Sequence, residues 1–89
     1  MKHLDIKIYG QVQGVSFRYY AKEQAMNLGL VGFVRNEADE SLYIEVEGKP
    51  DVLKKFIDWC YKGPALAQAE KVEIEESEIK KYKEFSIKY

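Results

Sequence analysis

An α+β sandwich, with one antiparallel sheet covered on one face by two helices, is the fold class this chain predicts. Three observations lead there: apolar and polar residues alternate around Leu4–Ile8, Leu42–Val46 and Val72–Ile74; two stretches between them carry apolar residues at helical spacing; and the order runs strand, helix, strand, strand, helix, strand. That order is the split pattern of a ferredoxin-like sandwich. No internal repeat or low-complexity linker interrupts it, so residues 1–89 are read as a single domain.

Each element has its own warrant. Leu4, Ile6 and Ile8 alternate with Asp5, Lys7 and Tyr9 in a half-buried strand that ends at Gly10. Ser16 fits the N-cap of a helix whose apolar positions Phe17, Ala21, Ala25 and Leu28 share a face, and Gly29 sits where a C-terminal cap belongs. Leu30 to Asn36 reads as a strand. Leu42, Ile44 and Val46, alternating with Tyr43, Glu45 and Glu47, form another, and the short polar turn between them makes a hairpin. Pro50 opens the second helix, with Leu53, Phe56, Ile57 and Cys60 on one face, and Gly63-Pro64 stops it. Val72 and Ile74 mark a fourth strand, and Phe85, Ile87 and Tyr89 a short terminal one. The acidic, lysine-rich stretch between those two is expected to be solvated.

Composition narrows the function classes. Hydrophobic residues make up 46% of the chain, enough for a core, while a net charge of -1 supplies no global field for nucleic acid or an anionic membrane. No apolar run approaches roughly 18 residues and no charged-then-apolar leader follows Met1, so a cytoplasmic location is expected. Cys60 has no partner for an internal disulfide, and with His3 as the only histidine no Cys-His zinc set exists; neither metal nor cofactor is expected. His3 is expected in a frayed N-terminus and Cys60 on the buried stripe of its helix, neither taking part in chemistry.

The segment Gly10–Arg18, GQVQGVSFR, carries the chemistry. The start of a helix bears about +0.5 of an elementary charge, yet the first turn Phe17, Arg18, Tyr19, Tyr20 holds a cation and no acid. The second helix follows the favoured order, Asp51 near its start and Lys62 at its end. Gly10 and Gly14 bracket a strand-to-helix loop whose amides can converge beside Arg18, and a guanidinium can grip two oxygens of a phosphate at once. The competing reading is a plain tight turn, with Arg18 lying on the helix surface paired to an acid from elsewhere. The loop matches neither a Walker motif nor GxGxxG.

The stretch GQVQGVSFRYYAKEQAMNLGLVGFVRN, Gly10 to Asn36, resembles the acylphosphatase family signature, a VQGVxFR loop preceding a helix and then a GLxGxVxN strand. The likeness extends through Gly48 and Gly63-Pro64 and covers nearly the whole chain. It departs after Asn36, where the family usually has Asp-Gly and this chain has Asp39-Glu40, so a differently built hairpin turn is expected. The resemblance implies hydrolysis of the carboxyl-phosphate bond of a small-molecule acyl phosphate by a cofactor-free monomer. It implies that the loop Gln11, Val12, Gln13, Gly14, Val15, Ser16, Phe17 and Arg18 holds the phosphate, and that Arg18 and the water-orienting Asn36 are catalytic. Residue reading alone gives Asn36 the strand parity of Val34, and equally allows an ordinary turn residue. Similar domains occur inside larger hydrogenase-maturation carbamoyltransferases, but zinc-type cysteines are lacking here.

A carboxylate leaves without needing a proton, so the absence of an evident general acid or base is compatible with hydrolysis, the substrate phosphate accepting the proton of the water. A loop that grips only phosphate leaves the acyl part in solvent, and a broad substrate range is expected. The alternative class is a non-catalytic module binding phosphate or a phosphorylated metabolite. An RNA-binding sandwich ranks last, because the aromatic and basic pattern of such domains is missing. Tyr19, Tyr20 and Trp59 read as packing residues, and Arg35 points away from Asn36.

Overall fold

The computed structural model describes all 89 residues as β1 (Lys2–Gln11), α1 (Phe17–Asn27), β2 (Val31–Asn36), β3 (Leu42–Gly48), α2 (Pro50–Lys62), β4 (Gln68–Ser77) and β5 (Phe85–Lys88). The strands form one sheet in the order β4-β1-β3-β2-β5. β1 pairs antiparallel with β3 and β4, and β2 antiparallel with β3, as the alternation predicts. The outer pairing differs: β5 runs parallel to β2, so the sheet is mixed rather than antiparallel throughout. The chain leaves β4 at the end of the sheet where β2 begins and crosses to the opposite edge there. Entry beside the start of β2, with the Gly32 amide donating to the Glu84 carbonyl at 2.9 Å, fixes the parallel direction.

Strand parity separates the two faces. Leu4, Ile6, Ile8, Leu42, Ile44, Val46, Val34 and Phe85 pack with Phe17, Ala21 and Ala25 of α1 and Leu53, Phe56 and Cys60 of α2 in one buried cluster. Each fully buried large side chain contributes about 1.5–3 kcal/mol against solvent exposure. α1 lies over β2 and β5, and α2 over β3 and β4. Cys60 is completely buried, and burial pushes its thiol pKa far up, which leaves it a core hydrophobe.

The opposite face corrects one expectation and adds to another. His3 is not frayed but wholly buried, its Nδ1 bonded to Glu47 Oε2 at 2.7 Å and its Nε2 to Asp5 Oδ1 at 2.8 Å. Ionised carboxylates only accept, so both ring nitrogens donate and His3 is an imidazolium. The stretch between β4 and β5 is exposed as expected, apart from half-buried Tyr82, and is also tied to the sheet. Glu47 accepts the backbone amides of Lys80 and Tyr82, while Glu45 accepts Lys80 Nζ at 2.8 Å and the Tyr82 hydroxyl at 2.7 Å, strapping the crossing segment to the sheet. A glutamate at every second strand position reads as a wet face; only the crossing chain reveals it as covered.

Burial opposes charging in this cluster and is outweighed. Hydrogen bonds to Glu47 and Asp5, with the charges of Asp5 and Glu45, raise the His3 pKa above its ordinary 6.5. Donors from Lys80, Tyr82 and Tyr43 lower Glu45 to about 2, and Lys80, His3 and Tyr82 lower Glu47. His3 therefore contributes stability that is complete below pH 6.5 and is lost as pH rises through its raised folded value. The glutamates contribute stability present above pH 4.5 and lost as pH falls through their lowered values.

Replacing His3 by Asn, which removes the cation shared by Asp5, Glu45 and Glu47, is expected to destabilise the protein by about 3 kcal/mol near pH 6 and to flatten the alkaline decline in stability. Urea unfolding followed from about pH 5 to 9 measures both, and an unchanged alkaline slope in the variant counts against the imidazolium.

Candidate active site

The loop between β1 and α1 begins with a kink. The register of β1 against β4 shifts between Tyr9 and Gly10, where φ is +129° and a Cβ would run into the Gln68 carbonyl. Gly14 (φ +74°) and Ser16 (φ +60°) both take the left-handed region, an arrangement of alternating backbone that presents amides to an anion. Ser16 stands at the N-cap position as expected, yet its side chain makes no cap bond, since the left-handed turn replaces capping geometry. The first amide at the helix start to find a carbonyl is that of Tyr20, which donates to Ser16 at 3.1 Å. The amides of Phe17, Arg18 and Tyr19 are left for a ligand or solvent.

A hollow of about 340 Å³ opens here, at the end of the sheet where β1, β2 and β5 finish. Val12, Gly14, Ser16, Phe17 and Arg18 of the predicted loop border it, together with Asn36. The other three loop residues lie elsewhere: Gln11 pairs with Gln68 in the ladder, Val15 faces a neighbouring cleft, and Gln13 turns toward the β2–β3 hairpin. Buried Val12 and Phe17 anchor the loop in the core.

Arg18 is not paired with an acid, as the tight-turn reading would have it. It has no carboxylate within ion-pairing distance; its guanidinium instead stacks on the Tyr89 ring, 4.9 Å from the centroid. Asn36 ends β2 on the helix-bearing side, as its parity with Val34 requires. Its Oδ1 is shut off from bulk solvent and accepts no hydrogen bond from the protein, which an ordinary turn-capping asparagine would do.

Gln13 joins these two parts. Its Nε2 donates to the carbonyls of Glu37 and Ser41, each at 2.9 Å, so the loop is tied to the hairpin whose base is Asn36. The hairpin closes with the Glu37 amide on the Ser41 carbonyl at 2.9 Å. Glu40 takes the left-handed position at φ +72°, and the Asp39 carboxylate accepts the Ser41 amide. Those Ser41 bonds, with Lys7 at 3.1 Å, hold the Asp39 pKa at about 2. The unusual Asp39-Glu40 turn thus keeps a closed hairpin by side-chain bonding in place of glycine.

Two side chains stand elsewhere than expected. Tyr19 and Tyr20 are 54% and 47% exposed rather than in the core, Tyr19 bordering the hollow and Tyr20 the neighbouring cleft. Trp59 is half-buried, edge-on to Phe17 at 5.3 Å, as read. Arg35 lies on the opposite face over the Tyr43 ring. Ile87 and Tyr89 also border the hollow, which sequence reading missed; the signal lay in their alternation, but only the parallel pairing of β5 brings its end here. His3, Asp5 and Glu45 gather ligand-type atoms within 4.8 Å on the far face, away from the hollow, where both His3 nitrogens are engaged by Glu47 and Asp5.

With this geometry in view, comparison with known proteins is specific. The family model described as Acylphosphatase matches residues 4–87. The chain belongs to the acylphosphatase family. Among its relatives, an acylphosphatase of Thermotoga maritima is 42% identical, the match spanning 100% of this chain and 99% of that protein. The crystal structure of acylphosphatase from Bacillus subtilis superposes with a TM-score of 0.97 at 31% identity, covering 100% of both chains. HypF from T. kodakarensis contains a similar domain, TM-score 0.88 at 32% identity, where this chain covers 100% of itself and 12% of that protein. No helix is long and apolar enough to cross a membrane.

Truncating Gln13 to Ala is expected to cost about 1–2 kcal/mol, since it removes two hydrogen bonds at the junction of loop and hairpin. Urea unfolding gives the stability, and amide resonances of both Gly14 and Asn36 should move; shifts confined to the loop would contradict the tie.

Proposed function

We propose that the protein hydrolyses acyl phosphates to a carboxylate and inorganic phosphate, with the phosphate held by the Gln11–Arg18 loop and the attacking water oriented by Asn36. The reaction class comes with the acylphosphatase family. The finer assignment rests on one observation: an arginine without an acidic partner, at an uncapped helix start, shares a hollow with an asparagine whose buried oxygen has no protein donor.

The chemistry follows from the groups present. Free amides at the loop and helix start, together with the guanidinium, neutralise the phosphoryl oxygens, whose charge is spread over the equatorial positions in the transition state. Asn36 Oδ1 accepts a hydrogen bond from a water, which keeps that proton, and sets the water oxygen toward phosphorus. The new P–O bond forms as the bond to the acyl oxygen breaks, and that electron pair departs on a carboxylate stable without protonation. The water's other proton passes to a phosphoryl oxygen of the substrate, so no side-chain base is consumed. His3 and Cys60 lie away from this hollow and take no part.

Arg18→Ala is expected to lower kcat/KM for benzoyl phosphate by at least about a hundredfold, corresponding to roughly 3–4 kcal/mol of lost transition-state stabilisation, with the fold intact. Arg18→Lys should recover only part of this, because an ammonium lacks the planar fork. Asn36→Ala should abolish turnover while inorganic phosphate still binds. Release of phosphate, phosphate titration and circular dichroism test these together. Wild-type turnover in folded Arg18→Ala would overturn the mechanism, and phosphate binding without wild-type turnover would favour the non-catalytic module.

A further inference from the structure

A second hollow, of about 460 Å³, opens on the other flank of the same loop. It shares Gly14 and Ser16 with the Arg18 hollow and is otherwise bounded by different residues. The first is closed by Asn36 and Tyr89, beneath the helix that packs on β2 and β5; the second by Trp59, Pro64 and Leu66, at the end of the helix that packs on β3 and β4. The two therefore lie on different flanks of the shared loop, with Tyr20 and Glu23 of α1 forming the second hollow's remaining side.

That arrangement bears on the leaving group. In displacement at phosphorus the entering and departing oxygens stand roughly in line, on opposite sides of the phosphoryl group. Taking the phosphate at the loop and the water at Asn36 on the β2 flank, the departing carboxylate is directed toward the α2 flank. We infer that the second hollow is the subsite for the acyl chain, and that it favours apolar acyl groups longer than acetyl. This rests on the proposed positions of phosphate and water.

The lining suits that ligand. Val15, Trp59, Pro64 and Leu66 give it an apolar floor and wall. Leu66 is 78% exposed, so the fold itself leaves this apolar surface uncovered. Glu23 stands on the α1 rim, its carboxylate accepting the Tyr19 hydroxyl at 2.9 Å, and it disfavours a second carboxylate on the acyl group. Uncharged aliphatic or aromatic chains therefore fit, and acyl groups with a terminal acid do not. The expectation that the acyl part stays in solvent is narrowed to the shortest substrates.

Acetyl, butyryl and hexanoyl phosphate expel carboxylates of nearly equal basicity, so differences among them report contact with the chain rather than leaving-group chemistry. Wild-type kcat/KM is expected to rise about tenfold from acetyl to hexanoyl phosphate, less than full burial of four methylenes would give because the hollow is open. Leu66→Ser, at an exposed position that leaves the fold intact, should reduce that rise to about threefold or less while holding acetyl phosphate within about twofold of wild type. With inorganic phosphate present, hexanoate should also shift the emission of Trp59, the only tryptophan, to the blue, and do so more weakly in Leu66→Ser. A flat chain-length series, or an equal loss for all three substrates in Leu66→Ser, overturns the subsite. If the flat series occurs in an enzyme that still loses turnover on Arg18→Ala, the acyl assignment falls and the phosphate assignment stands.

Discussion

The guanidinium of Arg18 stands in the first turn of α1 with no carboxylate within ion-pairing distance, and the loop end of the sheet is arranged around it. A cation at that position costs about 0.3–1 kcal/mol, and the unused amides beside it add to the positive potential. The fold sustains this because the turn is pinned from below. Phe17 is buried against Trp59, Val12 is buried one strand-length away, and Gln13 bonds to the neighbouring hairpin. A local electrostatic penalty is thus held in place by the apolar side chains of the same loop, buried in the core.

How much of this was legible varies by residue. Leu4, Ile6 and Ile8 announce their face by alternation alone, and Asn36 inherits its side of the sheet from Val34 by the same rule. Arg18 stood out because a first turn without acids is a local fact of the chain. What could not be read depends on partners distant in sequence. Gln13 reaches Glu37 and Ser41, 24 and 28 positions away. His3 meets Glu47 across 44 positions. Tyr89 arrives beside Arg18 only because β5 enters parallel. Tyr19 and Tyr20 were misjudged for a related reason: aromatic character indicates packing, whereas helix phase places both on the outside.

The two faces of the sheet solve the problem of covering it in different ways. On one, helices bury aliphatic and aromatic side chains. On the other, Glu45 and Glu47 are buried beneath a segment without regular structure, and become acceptors for its amides, its lysine and its tyrosine hydroxyl. Two backbone amides of a crossing that belongs to no ladder, those of Lys80 and Tyr82, are thereby satisfied by a side chain. The strap also sets where β5 begins, so the charged face determines which residues arrive at the opposite end of the sheet.

Cys60, fully enclosed beneath α2 and held as a thiol by its surroundings, has a consequence for watching the molecule in solution. Alkylating reagents attack thiolate, and here both access and ionisation are denied until the packing opens. With a single sulfhydryl in the chain, labelling proceeds with one chemical event per molecule. Its rate is a clock for excursions that expose the interior, readable by mass alone without any introduced probe.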